Sequence, residues 1–281
     1  MNIDSHQHFW KYDPAEYLWI DERMGVLKCD HLPVNLAVAQ APIGFEGSIA
    51  IQARQTLEET RWLLDLAHKD DRIKGVVGWV DLRSEQIDDE LADFSGHPKF
   101  VGVRHVVQDE PDERFILQPD FLRGIGKLKE HGLTYDILIY PAQLPATLEF
   151  VPQFPDQPFV LDHIAKPHIK DGTIEPWATQ ITQLAKFPNV HCKISGMVTE
   201  ADWSNWGSEN FSPYLNVVLE AFGPERLMIG SDWPVCRLAG EYQPVMQLTI
   251  DWLRVHAPGH LDDILGNNCL SFYTGPKGQG S

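Results

Sequence analysis

A chain of 281 residues, 43% hydrophobic and 22% charged, carries enough apolar material for one large core and no apolar run of about eighteen residues to cross a membrane. Its formal net charge of −17 argues against nucleic acid or an anionic membrane as partner, because both need a cationic surface. The four cysteines, Cys29, Cys192, Cys236 and Cys269, form no CxxC pair, and the N-terminus lacks a basic-then-apolar leader, so the chain reads as a cytoplasmic protein with reduced thiols.

Short apolar runs alternate with helical patterns throughout. Strands are predicted at 2–6, 48–52, 75–80, 100–104, 134–139, 158–162, 190–194 and 226–231. Residues 10–46 interrupt this rhythm: the segment is long, aromatic and Pro-punctuated, and is expected to be an extended first βα loop that acts as a lid. Thr56 with Glu59 predicts a capping box before a helix that buries Leu57, Leu63, Leu64 and Ala67. Further apolar faces are Ile87, Leu91 and Phe94, then Phe121, Ile125 and Leu128 before a stop at Gly132. Pro176 opens a helix with Trp177, Ile181 and Leu184 inward. Ser212 and Pro213 predict another cap with a proline at the first helical position, and Val245, Leu248, Trp252 and Val255 make the last face. Eight strand–helix units without a Gly-rich phosphate loop after the first strand predict a single-domain (β/α)8 TIM barrel of the α/β class over residues 1–274 rather than an open doubly wound sheet. Residues 275–281, small and polar, are expected to be a flexible tail.

In such a barrel the chemistry belongs at the C-terminal ends of the strands. His6-Gln7-His8 ends the first strand, and side chains two apart face one side, so both imidazoles can converge on the axis to bind a metal or handle protons. Leu161-Asp162-His163 ends the sixth strand, with Pro167 shortly beyond. Asp232 directly follows the eighth apolar run, in Gly230-Ser231-Asp232-Trp233-Pro234, where an acid is suited to general-base work or to capping the next turn. The first and eighth strands are neighbours in a closed barrel, so these signals reinforce one another. Arg104 ends the fourth strand and suits a carboxylate or a polarised carbonyl, Tyr140 ends the fifth, and Lys193 with Ser195 ends the seventh. Each of these four suits a rim ion pair or a turn hydrogen bond equally well. Trp203 and Trp206 suit either a sugar pocket or a loop anchor.

In this order and spacing the sequence resembles the amidohydrolase-2 family, in particular its sugar-lactonase branch. The resemblance rests on His6-Gln7-His8-Phe9-Trp10, Gly102-Val103-Arg104, Leu161-Asp162-His163-Ile164-Ala165-Lys166-Pro167, Cys192-Lys193-Ile194-Ser195-Gly196, the segment from Gly230 to Pro234 and Ile264-Leu265-Gly266-Asn267-Asn268. It covers nearly the whole chain. It implies hydrolysis of a small sugar lactone, fucono-, rhamnono- or galactonolactone-like, to the aldonic acid; a monomer or homodimer with no nucleic-acid or membrane partner is expected. Asp232 is then the base, His163 binds the metal or polarises the carbonyl, Arg104 holds the substrate or helps stabilise the oxyanion, and Tyr140, Lys193, Ser195 and Trp233 contact the substrate. His6, His8 and Asp232, with His163 nearby, are the implied ligands of one divalent metal ion, zinc by preference. Arg104 stands where binuclear relatives carry a modified lysine, and Tyr140 where mononuclear ones carry a histidine. The resemblance therefore also implies that the metal is dispensable for opening an activated ester. The competing expectations are a metal-dependent decarboxylase, hydrolysis of a pyrone lactone or other carboxylic ester, and a non-catalytic sugar-acid-binding barrel.

Overall fold

The computed structural model describes residues 1–275, and the predicted tail from 276 to 281 lies outside the described residues. Eight strands follow one another around a parallel sheet in chain order: β1 (Asn2–Gln7), β2 (Phe45–Ile51), β3 (Ile73–Gly78), β4 (Phe100–His105), β5 (Thr134–Ile137), β6 (Phe159–Leu161), β7 (Val190–Ile194) and β8 (Leu227–Ile229). Helices α1 (Pro33–Gln40), α2 (Leu57–Lys69), α3 (Ile87–Ser95), α4 (Pro119–Leu128), α5 (Leu144–Phe150), α6 (Trp177–Leu184), α7 (Ser208–Phe222) and α8 (Tyr242–His256) intervene or follow, and α9 (Asn268–Thr274) ends the described fold. The predicted single-domain (β/α)8 barrel is therefore the observed architecture.

The seam between β8 and β1 is made at the C-terminal rim. Gln7 bridges Trp233 in parallel sense, the Asp232 amide donates to the His6 carbonyl at 2.9 Å, and the His8 amide donates to the Trp233 carbonyl at 2.7 Å. At the other end α9 pushes Cys269 and Tyr273 into a core with Ile3, Ile49, Val77 and Val160. The last helix of the described residues is thus the floor of the barrel.

Several local expectations change. Thr56 Oγ1 does accept from the Glu59 amide at 3.1 Å, but Glu59 turns its carboxylate to the Ala53 and Arg54 amides at 2.9 and 2.7 Å instead of returning the bond. α7 starts a turn before the predicted Ser212 cap. The Asn210 side chain accepts from the Gly207 amide at 2.8 Å and buried Phe211 anchors the turn, so Pro213 lies inside the helix. Val255 is 72% exposed, because Met246, Thr249, Ile250 and Leu253 complete the inward face of α8. The segment 10–46 contains α1, so the loop proper is shorter than expected. Trp10, Tyr17, Ile20 and Leu27 give it an apolar centre of its own, packed on Val235 and Leu238.

Candidate active site

Along β1, Asp4 and His6 alternate inward, with His8 next in the same period just past the strand end, and all three are buried. The His6 and His8 Nε2 atoms lie 3.3 Å apart. Asp232 Oδ1 is 3.3 Å from His8 Nε2, 3.8 Å from His6 Nε2 and 3.9 Å from His163 Nε2. The structure thus brings together His6, His8, His163 and Asp232 from the ends of β1, β6 and β8.

The outer partner of His8 assigns its tautomer. His8 Nδ1 faces the Ile51 carbonyl at 2.9 Å, which only accepts, so Nδ1 carries the proton and Nε2 is bare. His6 Nε2 lies 3.3 Å from the Arg104 guanidinium, a donor, and its Nδ1 lies between the Asp162 carboxylate at 3.3 Å and the Lys193 ammonium at 3.2 Å. The Nε2 atoms of His6 and His8 and the Asp232 carboxylate converge as a buried donor set that could hold a cation. A separation of 3.3 Å also matches the edge of a tetrahedron about a zinc ion, about 3.3–3.4 Å for Zn–N bonds of about 2.0–2.1 Å. The donor set fits one divalent metal ion.

Below the histidines lies a layer of buried charge. Lys193 Nζ meets Asp136 at 2.5 Å, Asp162 at 2.9 Å and His6 Nδ1 at 3.2 Å. Arg104 gives one arm to Asp162 at 3.1 Å and the other to the Gln52 carbonyl and side chain at 2.5 and 2.9 Å. Tyr273 donates from the floor to Asp136 at 2.7 Å. Two cations therefore balance two carboxylates. Asp4 performs the analogous task at the seam, where it accepts from the Ser231 amide at 2.9 Å and the Ser231 hydroxyl at 2.5 Å.

This setting fixes the ionisation states. Burial pushes the Asp232 carboxyl upward, but His163, His8 and His6 outweigh it and hold the group far below the usual carboxylate range. Burial lowers His163 to about 4, against the raising influence of Asp232 and Asp162, so its imidazole is neutral at pH 7. Asp162 is likewise held well below its ordinary value: burial opposes ionisation, and Lys193, His6 and Arg104 outweigh it.

The positions of the remaining expected residues divide. Ser195 Oγ lies 2.9 Å from His163 Nδ1, and Trp233 packs edge-on against His31 and Phe9 behind Asp232. Tyr140 reaches the rim with 39% of its surface exposed. Two placements differ from expectation. Lys193 is wholly enclosed beneath His6, two residues before Ser195 on the same face, and so is directed at carboxylates rather than at the mouth. Arg104 has its fork committed to Asp162, Gln52 and His6. Trp203 and Trp206 tie their loop down through the Thr199 and Ala239 carbonyls, each at 2.9 Å. A cavity of about 350 Å³ lies beyond Trp233, lined by Cys29, His31, Asn35 and Arg237 among others, and Asp232 is not part of its wall. Sequence reasoning misses the supporting roles of Asp4, Gln52 and Asp136. The available signal is an isolated polar residue on the inward register of an otherwise apolar strand.

Backbone geometry is unusual at this site. Among the described residues, the non-glycine positions with left-handed φ are His163, Ile164, Ala165, Lys166 and Asp232. Gly196 is also left-handed, and a Cβ there would collide with the His163 ring.

Imidazoles and a carboxylate gathered at the C-terminal mouth of a parallel eightfold barrel define a barrel hydrolase. Residues 3–274 match the amidohydrolase family, and the chain belongs to it. It is 42% identical over 262 residues to an L-fucono-1,5-lactonase of Burkholderia multivorans (strain ATCC 17616 / 249), covering 90% of this chain and 88% of that protein. A second L-fucono-1,5-lactonase, from Burkholderia ambifaria (strain ATCC BAA-244), is 39% identical, with 85% and 82% covered. A crystal structure of an amidohydrolase from Burkholderia multivorans with bound zinc superposes with a TM-score of 0.94 at 40% identity, covering 97% of this chain and 99% of that one.

Proposed function

We propose that this chain hydrolyses a small sugar lactone to the aldonic acid, with Asp232 as general base. The observation that carries the proposal is the Asp232 carboxylate, kept ionised at the closing seam with its Oδ1 toward three imidazoles. The long similarity to L-fucono-1,5-lactonases supports the lactone as substrate. The Asp232 carboxylate takes a proton from water as the water oxygen bonds to the lactone carbonyl carbon. When the ring C–O bond breaks, the same carboxyl returns the proton to the departing alkoxide. In this reading neutral His163, held by Ser195 Oγ 2.9 Å from its Nδ1, carries its proton on Nε2 and donates it to the carbonyl oxygen as that becomes an oxyanion. Lys193 and Arg104 keep Asp162 ionised, and Asp162 orients His6. His6, His8 and Asp232 would hold one divalent ion, zinc by donor type, which when bound polarises the carbonyl and acidifies water.

The test is acid release from a panel of aldono-1,4- and 1,5-lactones, followed with a pH indicator. Turnover of at least one is expected, and Asp232→Asn should lose it. Tight binding of the panel with no acid released would instead mark a non-catalytic sugar-acid-binding barrel.

A further inference from the structure

The turn that delivers His163 is one the chain would not adopt unaided. His163, Ile164, Ala165 and Lys166 have φ of 53°, 50°, 59° and 48°, a left-handed turn without a glycine. An L-residue is disfavoured there by its own Cβ, and a β-branched isoleucine most of all. The turn closes with the Lys166 amide donating to the His163 carbonyl at 2.8 Å. One backbone bond of ordinary net worth is outweighed by four residues in a disfavoured region. Strain of this kind persists only where the surroundings over-determine it, so a further hold on the turn is required.

That hold comes from the helix layer. Trp177, the first residue of α6 and 2% exposed, donates its indole N–H to the Ile164 carbonyl at 2.8 Å. The carbonyl belongs to the peptide plane between Ile164 and Ala165. Its direction is set by ψ of Ile164, 29°, and φ of Ala165, 59°, two of the angles that make the turn left-handed. A right-handed link would point the carbonyl elsewhere and leave two buried polar groups without partners. The indole is itself fixed, edge-on to Tyr214 of α7 with ring centroids 5.3 Å apart. The Tyr214 hydroxyl lies 3.1 Å from the Thr173 carbonyl and 3.3 Å from that of His168, farther along the same loop. Two aromatic side chains from neighbouring helices thus hold the loop after β6 by its carbonyls. On the axis side the His163 ring is confined: Ser195 Oγ stands 2.9 Å from its Nδ1, and a Cβ on Gly196 would stand 2.5 Å from the same atom. A relaxed turn would take the imidazole out of this slot.

We propose that Trp177 is a positioning residue for His163: its indole N–H, by holding the Ile164 carbonyl, keeps the turn after β6 left-handed and the imidazole aimed at the reacting carbonyl. The proposal rests on the lactonase reading above, in which His163 donates to that carbonyl. Trp177 lies in the core between barrel and helices and acts only through the turn; Tyr214 supports it by fixing the indole and the far part of the loop.

The experiment measures kcat and KM for a hydrolysed aldonolactone, beside thermal melts, in the unmodified protein, Trp177→Phe, Ala165→Gly and the double variant. Phenylalanine keeps an aromatic ring against Tyr214 and removes the donor. In Trp177→Phe, kcat referred to folded protein is expected to fall at least about tenfold with KM within about twofold, since a small misplacement of a catalytic group costs rate rather than affinity. Glycine takes left-handed φ without the Cβ penalty, so adding Ala165→Gly should restore kcat by at least about threefold. A purely structural role would lower the melting temperature and give neither the kcat loss per folded molecule nor the rescue. Undiminished kcat in Trp177→Phe, or a loss that Ala165→Gly does not relieve, overturns the positioning role and leaves the lactonase reading intact. Should Trp177→Phe not fold, Tyr214→Phe, which loses only a hydroxyl, takes its place beside Ala165→Gly and the same two outcomes decide. If the unmodified protein opens no lactone, the lactonase reading itself fails and the positioning role with it.

Discussion

The backbone N–H of Asp232 donates to the His6 carbonyl at 2.9 Å, and the two side chains converge to 3.8 Å on the inward side of the same contact. With the reciprocal bond from His8 to Trp233, this contact closes the barrel between its first and last strands. The seam and the donor set are therefore one construction. Any change that opens the seam also separates the base from the imidazoles.

Asp232→Asn keeps that backbone bond and the side-chain volume and removes the base. Hydrolysis is expected to fall by about 10²–10⁴-fold, with little change in the melting temperature of the metal-free protein. Steady-state kinetics beside a thermal melt check this, and a fully active Asn variant would remove Asp232 from the mechanism.

Zinc should bind at about one ion per chain, raise the melting temperature, and be lost from His8→Ala. Elemental analysis after gel filtration gives the stoichiometry. Chelation of the unmodified protein is expected to leave measurable lactone hydrolysis, because Asp232 and His163 remain. Complete and reversible loss would make the ion indispensable.

Lys193→Met leaves Asp136 and Asp162 without their shared cation in a dry interior. Removing one member of such a buried network typically costs about 3–5 kcal/mol. The double variant Lys193→Met, Asp136→Asn should recover part of that loss, since one uncompensated charge disappears with it. Denaturant melts of the four proteins in the cycle give the coupling, and simple additivity would contradict the charge-balance account.

Glu59, at 1% exposure, has its carboxyl raised by burial to about 7, against the lowering influence of the Arg54 and Ala53 amides. A carboxyl whose folded pKa lies above its unfolded value holds a proton more tightly when folded, so its contribution to stability declines as pH rises from about 4.5 toward 7. Glu59→Gln retains an acceptor for the two amides and removes the titration. The stability difference between Glu59→Gln and the unmodified protein should therefore move in favour of the variant between pH 5 and pH 8, by on the order of 3 kcal/mol. A difference independent of pH would show that Glu59 titrates normally.

The barrel and its four central side chains are legible in the sequence because both rest on local signals. Eight apolar runs alternate with helical faces, and His6, His8, His163 and Asp232 each stand where an apolar run stops. Depth along the barrel axis has no such signal. Lys193 and Ser195 share a face of one strand, yet one is sealed among carboxylates and the other touches His163; the difference lies in Asp136 and Asp162 on other strands. Arg104 is misdirected for the same reason, since its acceptors Gln52 and Asp162 are distant in sequence. The left-handed turn after β6 is invisible because no glycine announces it. α7 begins early because Asn210 and Phe211 act together where Pro213 alone suggests a start.

Tyr273 and His6 stand near opposite ends of the sequence, yet only Asp136 and Lys193 separate them in space. A chain emerging from the ribosome completes all eight strands, and every residue of the mouth, before the floor exists. Until α9 docks, water has a route from below to the Lys193 carboxylate cluster, and the field that orients His6 is weakened by solvent. The order of synthesis thereby makes this helix the step that dries the interior. A fusion or truncation that disturbs the segment from Asn268 to Thr274 should act on the catalytic end of the barrel from its far side.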